Sequence, residues 1–157
     1  MKIKIDLKNE MEFFYRTLVN YFSFFGSFVF WILTVMLLFI LNQEEFAIKF
    51  AIAAAISMAI EHFIKFIYME KRPDANSIKP AALYEAFQEK TSFPSGHSAI
   101  AAAFTTLLHL EYHVTYLTYF FIFITLMAGL SRISLKRHYL KDVIAGYVLG
   151  FLVGYFI

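Results

Sequence analysis

Apolar and polar positions alternate in long blocks along this chain. From Thr17 to Leu41 charge is almost absent, and large apolar side chains dominate, among them Phe22, Phe24, Phe25, Phe28, Phe30, Trp31 and Leu37 to Ile40. A bilayer core is crossed by about 20 apolar residues in a helix, so this run predicts a first span. Asn42-Gln43-Glu44-Glu45 makes a tight polar turn, and a second span runs from Phe46 to Met69. Its first part is small and apolar (Ala51, Ala53, Ala54, Ala55), which favours close helix approach. Its second part carries Glu61, His62 and Lys65, ionisable groups that a span tolerates when they face a partner or a wet cavity. Pro73 disfavours helix at Arg72 and ends the element. A short third span covers Ser98 to His109, a fourth Val114 to Leu130, and a fifth runs from Tyr139 onward. The last carries Gly146, Gly150 and Gly154, spaced four apart on one face, a close-packing signal in membranes.

Two stretches fall outside the spans. Residues 1–16 mix charge with Ile3, Ile5, Leu7, Met11, Phe13, Phe14 and Tyr15, which predicts an amphipathic lead-in at the membrane interface. Residues 74–93 form the longest polar connection, with a short helix expected over Ala81 to Phe87. Its length suits a lid or binding segment as readily as a plain surface loop. The expected fold is therefore all-α: an integral membrane helical bundle of about five transmembrane helices plus an N-terminal interfacial helix, one domain over residues 1–157.

Composition agrees. Hydrophobic residues make up 60% of the 157 and aromatic residues 20%, against about 45–50% apolar residues in a soluble domain. The absence of cysteine excludes a disulfide framework, a zinc–thiolate site and a thiol nucleophile. A formal charge of +2 is too small to argue for nucleic acid. The start, Met1-Lys2-Ile3-Lys4-Ile5-Asp6, does not have the pattern of a cleaved signal peptide.

Five alternating spans bring three polar clusters to one side: the end of the second span, the start of the third, and the junction of the fourth and fifth. Lys65 and Arg72 are seven residues apart, two helical turns, so both reach toward one ligand or both snorkel to the headgroup level. Glu61, one turn before Lys65, pairs with it or lines the pocket. Pro94-Ser95-Gly96-His97 stands where a loop enters an apolar helix. It offers a hydroxyl, an unobstructed backbone N–H and an imidazole, and equally fits a plain helix cap. His138 and Asp142 are four apart, so the carboxylate can fix the ring's tautomer and leave the other nitrogen free to attack; alone, a surface ion pair fits as well. Arg132 presents a planar fork matched to phosphate oxygens. Lys136, Arg137 and Lys141 are read as contacts to anionic headgroups, His62 as a packing residue, and His109 and His113 as interfacial at the opposite face. Together the clusters suit phosphoryl transfer without a metal, in which positioning and charge neutralisation dominate. No carboxylate cluster for magnesium stands in the sequence, and no metal or other cofactor is expected.

The spacing as a whole resembles a known signature. Lys65, six residues, Arg72-Pro73; Pro94-Ser95-Gly96-His97; then Ser131-Arg132, five residues, His138, three residues, Asp142. This resembles the three-part motif of the type 2 phosphatidic acid phosphatase superfamily, the lipid phosphate phosphatases, with every fixed position present between residues 65 and 142. The resemblance implies that His138 is the nucleophile forming a phosphohistidine, that Asp142 orients it, and that His97 protonates the leaving oxygen and then activates water. Lys65, Arg72 and Arg132 would hold the phosphate oxygens, with Ser95 and Gly96 completing the cradle, so that residues 70–97 carry part of the site. Vanadate-dependent haloperoxidases share the motif but are soluble. Many bacterial members have six spans, whereas five plus an interfacial segment are counted here.

Within that superfamily the chain looks most like compact bacterial enzymes acting on envelope lipids. The first expectation is a lipid A 1-phosphatase, with undecaprenyl pyrophosphate phosphatase and phosphatidylglycerophosphate phosphatase as alternatives, and a non-catalytic lipid-phosphate binding or transport protein as the reading from another class. The expected partners are a phosphorylated membrane lipid and the bilayer, with no nucleic acid and no obligate protein partner. The expected location is the bacterial inner (cytoplasmic) membrane as a multi-pass protein. The resemblance implies a periplasmic site, but of 14 Lys and Arg only Lys49 lies toward the opposite side, and the positive-inside rule would then place the site in the cytoplasm.

Overall fold

The computed structural model describes residues 7–74 and 91–157, and the helix expected over 81–87 lies outside them. The described residues form six helices: α1 (Leu7–Phe25), α2 (Phe28–Ile40), α3 (Glu44–Tyr68), α4 (Gly96–Tyr112), α5 (Thr115–Ser134) and α6 (Leu140–Phe156). The fold is all-α, as the hydrophobic pattern predicts.

The N-terminal third differs from the pattern in detail. The lead-in and the first span are not separate elements. Helix α1 runs continuously from the charged start into the apolar stretch, and the chain then bends by 54° before α2. The cause is the pair Gly26-Ser27, a recurrent site of sharp helix kinks. Ser27 Oγ accepts the Phe30 N–H at 3.2 Å and so starts a new helix. Gly26 is buried where a side chain would strike His97.

Helices α3 and α5 are long and apolar enough to cross a membrane, and the bent α1–α2 pair passes the same test as one broken span. Helices α4 and α6 have 17 residues each, about 25 Å of rise. Packing gives α4 the bundle's height all the same. Helix α4 starts with Gly96 against the Glu61 carboxylate and ends at Tyr112, whose hydroxyl donates to Gln43 Oε1 at 2.8 Å just ahead of α3. At that far end Lys49 pairs with Glu45 at 2.8 Å and Glu111 at 2.9 Å.

Helix α4 is the hub, packed against α3, α5 and α6. Ala99, Ala101, Ala102 and Ala103 are buried in it because neighbouring backbones come too close for larger side chains. The closest neighbour is α6. A Cβ on Gly146 would lie 2.4 Å from the Ser95 carbonyl oxygen, one on Gly150 1.9 Å from that of Ala99, and one on Gly154 2.7 Å from that of Ala103. The order of these contacts makes α4 and α6 parallel. Lower down, Trp31, Phe46, Phe50, Phe104 and Phe121 form an aromatic core, with centroids 4.8 Å apart for Trp31–Phe104 and 5.0 Å for both Phe50–Phe104 and Phe104–Phe121. Phe63, Phe66, Tyr116, Phe120, Phe151 and many other large apolar residues face outward. That arrangement is stable where the surrounding solvent is lipid.

Candidate active site

Parallel packing sets the N-termini of α4 and α6 side by side, and their N–H groups and partial positive charges point to the same place. A backbone hydrogen bond, Ser95 N–H to the Asp142 carbonyl at 3.0 Å, joins the two ends. The C-terminal ends of α3 and α5 arrive at the same level with Lys65 and Arg132. All three polar clusters thus meet at one end of the bundle. Lys65, Arg72 and Arg132 each exert their charge on both His97 and His138.

Lys65 is buried on α3 and paired with Glu61 Oε1 one turn earlier. Glu61 also approaches His62 Nδ1 at 3.0 Å, and that nitrogen lies 2.7 Å from the Met58 carbonyl oxygen. His62 therefore belongs to the support of the site. A Cβ on Gly96 would lie 2.9 Å from Glu61 Oε1, so the glycine permits α3 and α4 to meet there. Snorkelling does not describe Lys65, whose amine is turned into the protein.

Arg72 lies past the end of α3 and is fixed by Nε donating to the Thr91 carbonyl at 3.0 Å. Lys71 and Thr91 form an isolated antiparallel bridge, and Ser92 N–H donates to the Glu70 carbonyl at 2.8 Å. The 69–74 stretch is braced from outside by Arg137 Nε to Asp74 Oδ2 at 3.2 Å and Lys141 Nζ to Glu70 Oε1 at 2.5 Å. Arg137 and Lys141 thus hold protein carboxylates, a structural role in place of the headgroup contacts expected of them.

Ser95 is fully buried and caps α4. Its Oγ accepts from the Ser98 N–H at 3.5 Å and from the Ser98 hydroxyl at 3.0 Å. Its oxygen is occupied by the cap, and only its own O–H proton remains for a ligand. Next in sequence, Gly96 and His97 are only partly covered. The His97 ring rests against Gly26 of the α1–α2 bend, where a Cβ would come within 2.9 Å of its Cδ2.

On the other wall, His138 lies in the α5–α6 connection, its N–H donating to the Arg132 carbonyl at 3.3 Å. His138 Nδ1 is 3.6 Å from Asp142 Oδ2, slightly beyond a hydrogen bond, and Nδ1 has no hydrogen-bond partner among the described residues. Catalytic contacts are commonly long without a ligand and tighten in the complex. Asp142 is held independently, with Oδ2 accepting the Tyr139 N–H at 2.8 Å. Burial pushes the His138 imidazole below its ordinary pKa, aided by Arg72, Arg132 and Lys65, while Asp142 pushes it up. The net result favours the neutral ring, the form that can attack. Arg132 donates Nη1 to Ser23 Oγ of α1 at 2.8 Å, and its Nε is buried with no partner among the described residues.

The structure brings together all eight residues proposed from the sequence: Lys65, Arg72, Ser95, Gly96, His97, Arg132, His138 and Asp142. Sequence reading missed Ser23 and Gly26. The available signal was Gly26-Ser27, a helix-breaking pair within an otherwise unbroken apolar run.

Residues 46–157 match the PAP2 superfamily, and the chain belongs to that superfamily of lipid phosphatases. One segment of 65 residues, 40% of this chain, is 45% identical to the lipid A 1-phosphatase of Porphyromonas gingivalis, covering 15% of that protein. Over 134 residues, 85% of this chain, it is 28% identical to the undecaprenyl-diphosphatase of Sulfolobus acidocaldarius, covering 64% of it. The chain thus spans less than two thirds of the length of either relative. Its fold is similar to that of Aquifex aeolicus LpxE, with a TM-score of 0.76 and 22% identity over 91% of this chain and 84% of that one. It also resembles the PAP2-type phosphatidylglycerolphosphate phosphatase of Bacillus subtilis, with a TM-score of 0.73 and 20% identity over 91% and 74% of the two chains.

Proposed function

We propose that the chain is a single membrane-embedded domain that removes a phosphate from a lipid phosphate or pyrophosphate through a phosphohistidine, without a metal. The observation that carries this reading is the meeting of two parallel helix N-termini, two histidines and three cations at one end of a lipid-facing bundle. In the first step neutral His138 Nε2 attacks phosphorus and the bond from phosphorus to the lipid oxygen breaks. His97 gives its proton to that oxygen, while Asp142 faces the proton retained on His138 Nδ1. In the second step His97 takes a proton from water, the water oxygen attacks phosphorus, the P–N bond breaks and phosphate leaves. Lys65, Arg72, Arg132 and the Gly96 backbone neutralise the oxygens as charge develops.

A lipid substrate suits the surroundings. An apolar groove of about 530 Å³, lined by residues including Phe28, Trp31, Met58 and Ile100, lies between α2 and α3. Met58 is one turn from Glu61 and Ile100 one turn from His97, so the groove begins directly beneath the site. The particular substrate proposed is lipid A phosphorylated at its 1-position, on the strength of the segment shared with the Porphyromonas gingivalis enzyme. The proposed setting is the inner membrane of a bacterium, with the site at the periplasmic face.

Purified chain in detergent with EDTA is expected to release phosphate from at least one of lipid A, undecaprenyl pyrophosphate, phosphatidylglycerophosphate and phosphatidic acid. Orthovanadate should inhibit, and His138→Ala should lower kcat by about 100-fold or more. Full activity in His138→Ala would overturn the mechanism. Binding of these lipids without phosphate release would instead favour a binding or transport protein.

A further inference from the structure

We infer that the bend between α1 and α2 is a fourth wall of the active site, in which Ser23 and Gly26 are positioning residues. Ser23 aims Arg132 at the phosphate, and Gly26 seats the His97 ring. The inference rests on the phosphatase reading above but adds to it, because the superfamily match begins at residue 46.

Arginine binds an oxyanion best through one planar edge, with two parallel N–H donors. The Arg132 guanidinium is anchored at Nη1 by Ser23 Oγ at 2.8 Å, which leaves the edge formed by Nε and Nη2 for a ligand. Nε is buried and has no partner among the described residues. A buried donor without an acceptor is costly, and a phosphate oxygen removes that cost when substrate binds. Arg132 stands on α5 and Ser23 on α1, so the aim of the guanidinium depends on how α1 lies along α5. That packing has its own support in the edge-on contact of Phe22 with Phe123, centroids 6.1 Å apart.

Three residues on, the same bend meets the other catalytic wall. Gly26 is buried, and a Cβ there would lie 2.8 Å from His97 Cβ and 2.9 Å from Cδ2. The bend is held by the Ser27 cap and by Phe25 and Phe30 packed edge-on at 5.0 Å. One kink therefore touches a phosphate-binding group through Ser23 and the proton-transfer group through Gly26, and the two contacts should carry different kinetic signatures.

The test uses the full chain in detergent, with phosphate release from the lipid phosphate that the wild type cleaves and, separately, orthovanadate affinity by calorimetry. Ser23→Ala should raise KM and weaken vanadate by about tenfold each, with kcat within about twofold, and Ser23→Thr should restore both. Gly26→Ala should lower kcat by about tenfold or more while vanadate affinity stays within about twofold. Ser23→Ala behaving as wild type, while His138→Ala is inactive, would overturn the inference and leave the phosphatase reading standing. So would parallel losses of kcat, vanadate affinity and thermal stability in Ser23→Ala, since those are the marks of a structural residue alone. If the wild type binds vanadate but cleaves no lipid phosphate, the phosphatase reading fails and the vanadate affinities of Ser23→Ala and Ser23→Thr decide the inference. A wild type that does neither would sink both.

Discussion

The pair His138–Asp142 shows what a single carboxylate contributes. Asp142 is held by the Tyr139 N–H and faces His138 Nδ1 at 3.6 Å, and in the proposed mechanism it keeps the proton on Nδ1 so that Nε2 can attack. Asp142→Asn keeps an oxygen for Tyr139, and α6 should stay folded while the negative charge that stabilises the ring as it becomes cationic is lost. We expect kcat to fall by about 100-fold or more with little change in melting temperature. The pH profile gives the sign. Burial and then the neighbouring cations lower the His138 pKa, and Asp142 opposes them. If His138 is the nucleophile as proposed, it must be neutral to attack, so kcat/KM should rise with pH through a limb placed below the ordinary histidine value of about 6.5. Removing the one group that raises the pKa should move that limb to lower pH. The substrate phosphate titrates nearby, but identically in both proteins, so the difference between the two profiles belongs to the enzyme. A limb that moves upward would exclude Asp142 as the partner of His138.

At the scale of elements, the glycine ladder of α6 holds the two catalytic walls in register. Gly150 meets the Ala99 carbonyl so closely that a methyl would lie 1.9 Å from it, and backbone cannot yield as a flexible side chain would. Gly150→Ala should therefore force α6 off α4, at a cost of about 1–3 kcal/mol by thermal unfolding. His138 and Asp142 would shift relative to Gly96 and His97, and about 1 Å of misplacement should cost about 100-fold in activity. Unchanged melting and activity in Gly150→Ala would mean that the helices are less closely packed than described. This ladder was legible beforehand because its spacing is local and puts three glycines on one helix face. So was the convergence of the eight candidate residues at one end of the bundle, since their motifs lie at helix ends where hydropathy changes abruptly. The kink at Gly26-Ser27 was not, because its apolar character is continuous on both sides and only packing against His97 and Arg132 gives the break a purpose. Nor were the Arg137–Asp74 and Lys141–Glu70 pairs, since a charge along the sequence does not reveal whether a carboxylate or a lipid headgroup will face it.

For the whole molecule, the distribution of charge sets a direct test of orientation. Among the described residues, nine of the ten Lys and Arg belong to the site end of the bundle and Lys49 to the other. The positive-inside rule reads such an excess as cytoplasmic. The structure gives part of the excess another cause, independent of topology. Lys65, Arg72 and Arg132 meet at the proposed phosphate site, while Arg137 and Lys141 brace Asp74 and Glu70. The rule describes what the insertion machinery retains, and cations committed to a binding site or to internal pairs are present for another reason. Setting those five aside leaves four against one among the described residues, so the bias persists, and the proposed periplasmic site must be tested against it. Lys136 is exposed at the site end and Gln43 at the other. In intact cells of a bacterial host, with an outer-membrane-permeant but inner-membrane-impermeant thiol reagent, Lys136→Cys should be labelled, and Gln43→Cys only after the inner membrane is opened. The chain has no cysteine of its own to confuse the result. Labelling at Gln43→Cys alone would place the phosphatase chemistry on the cytoplasmic leaflet and reverse the side from which substrate must arrive.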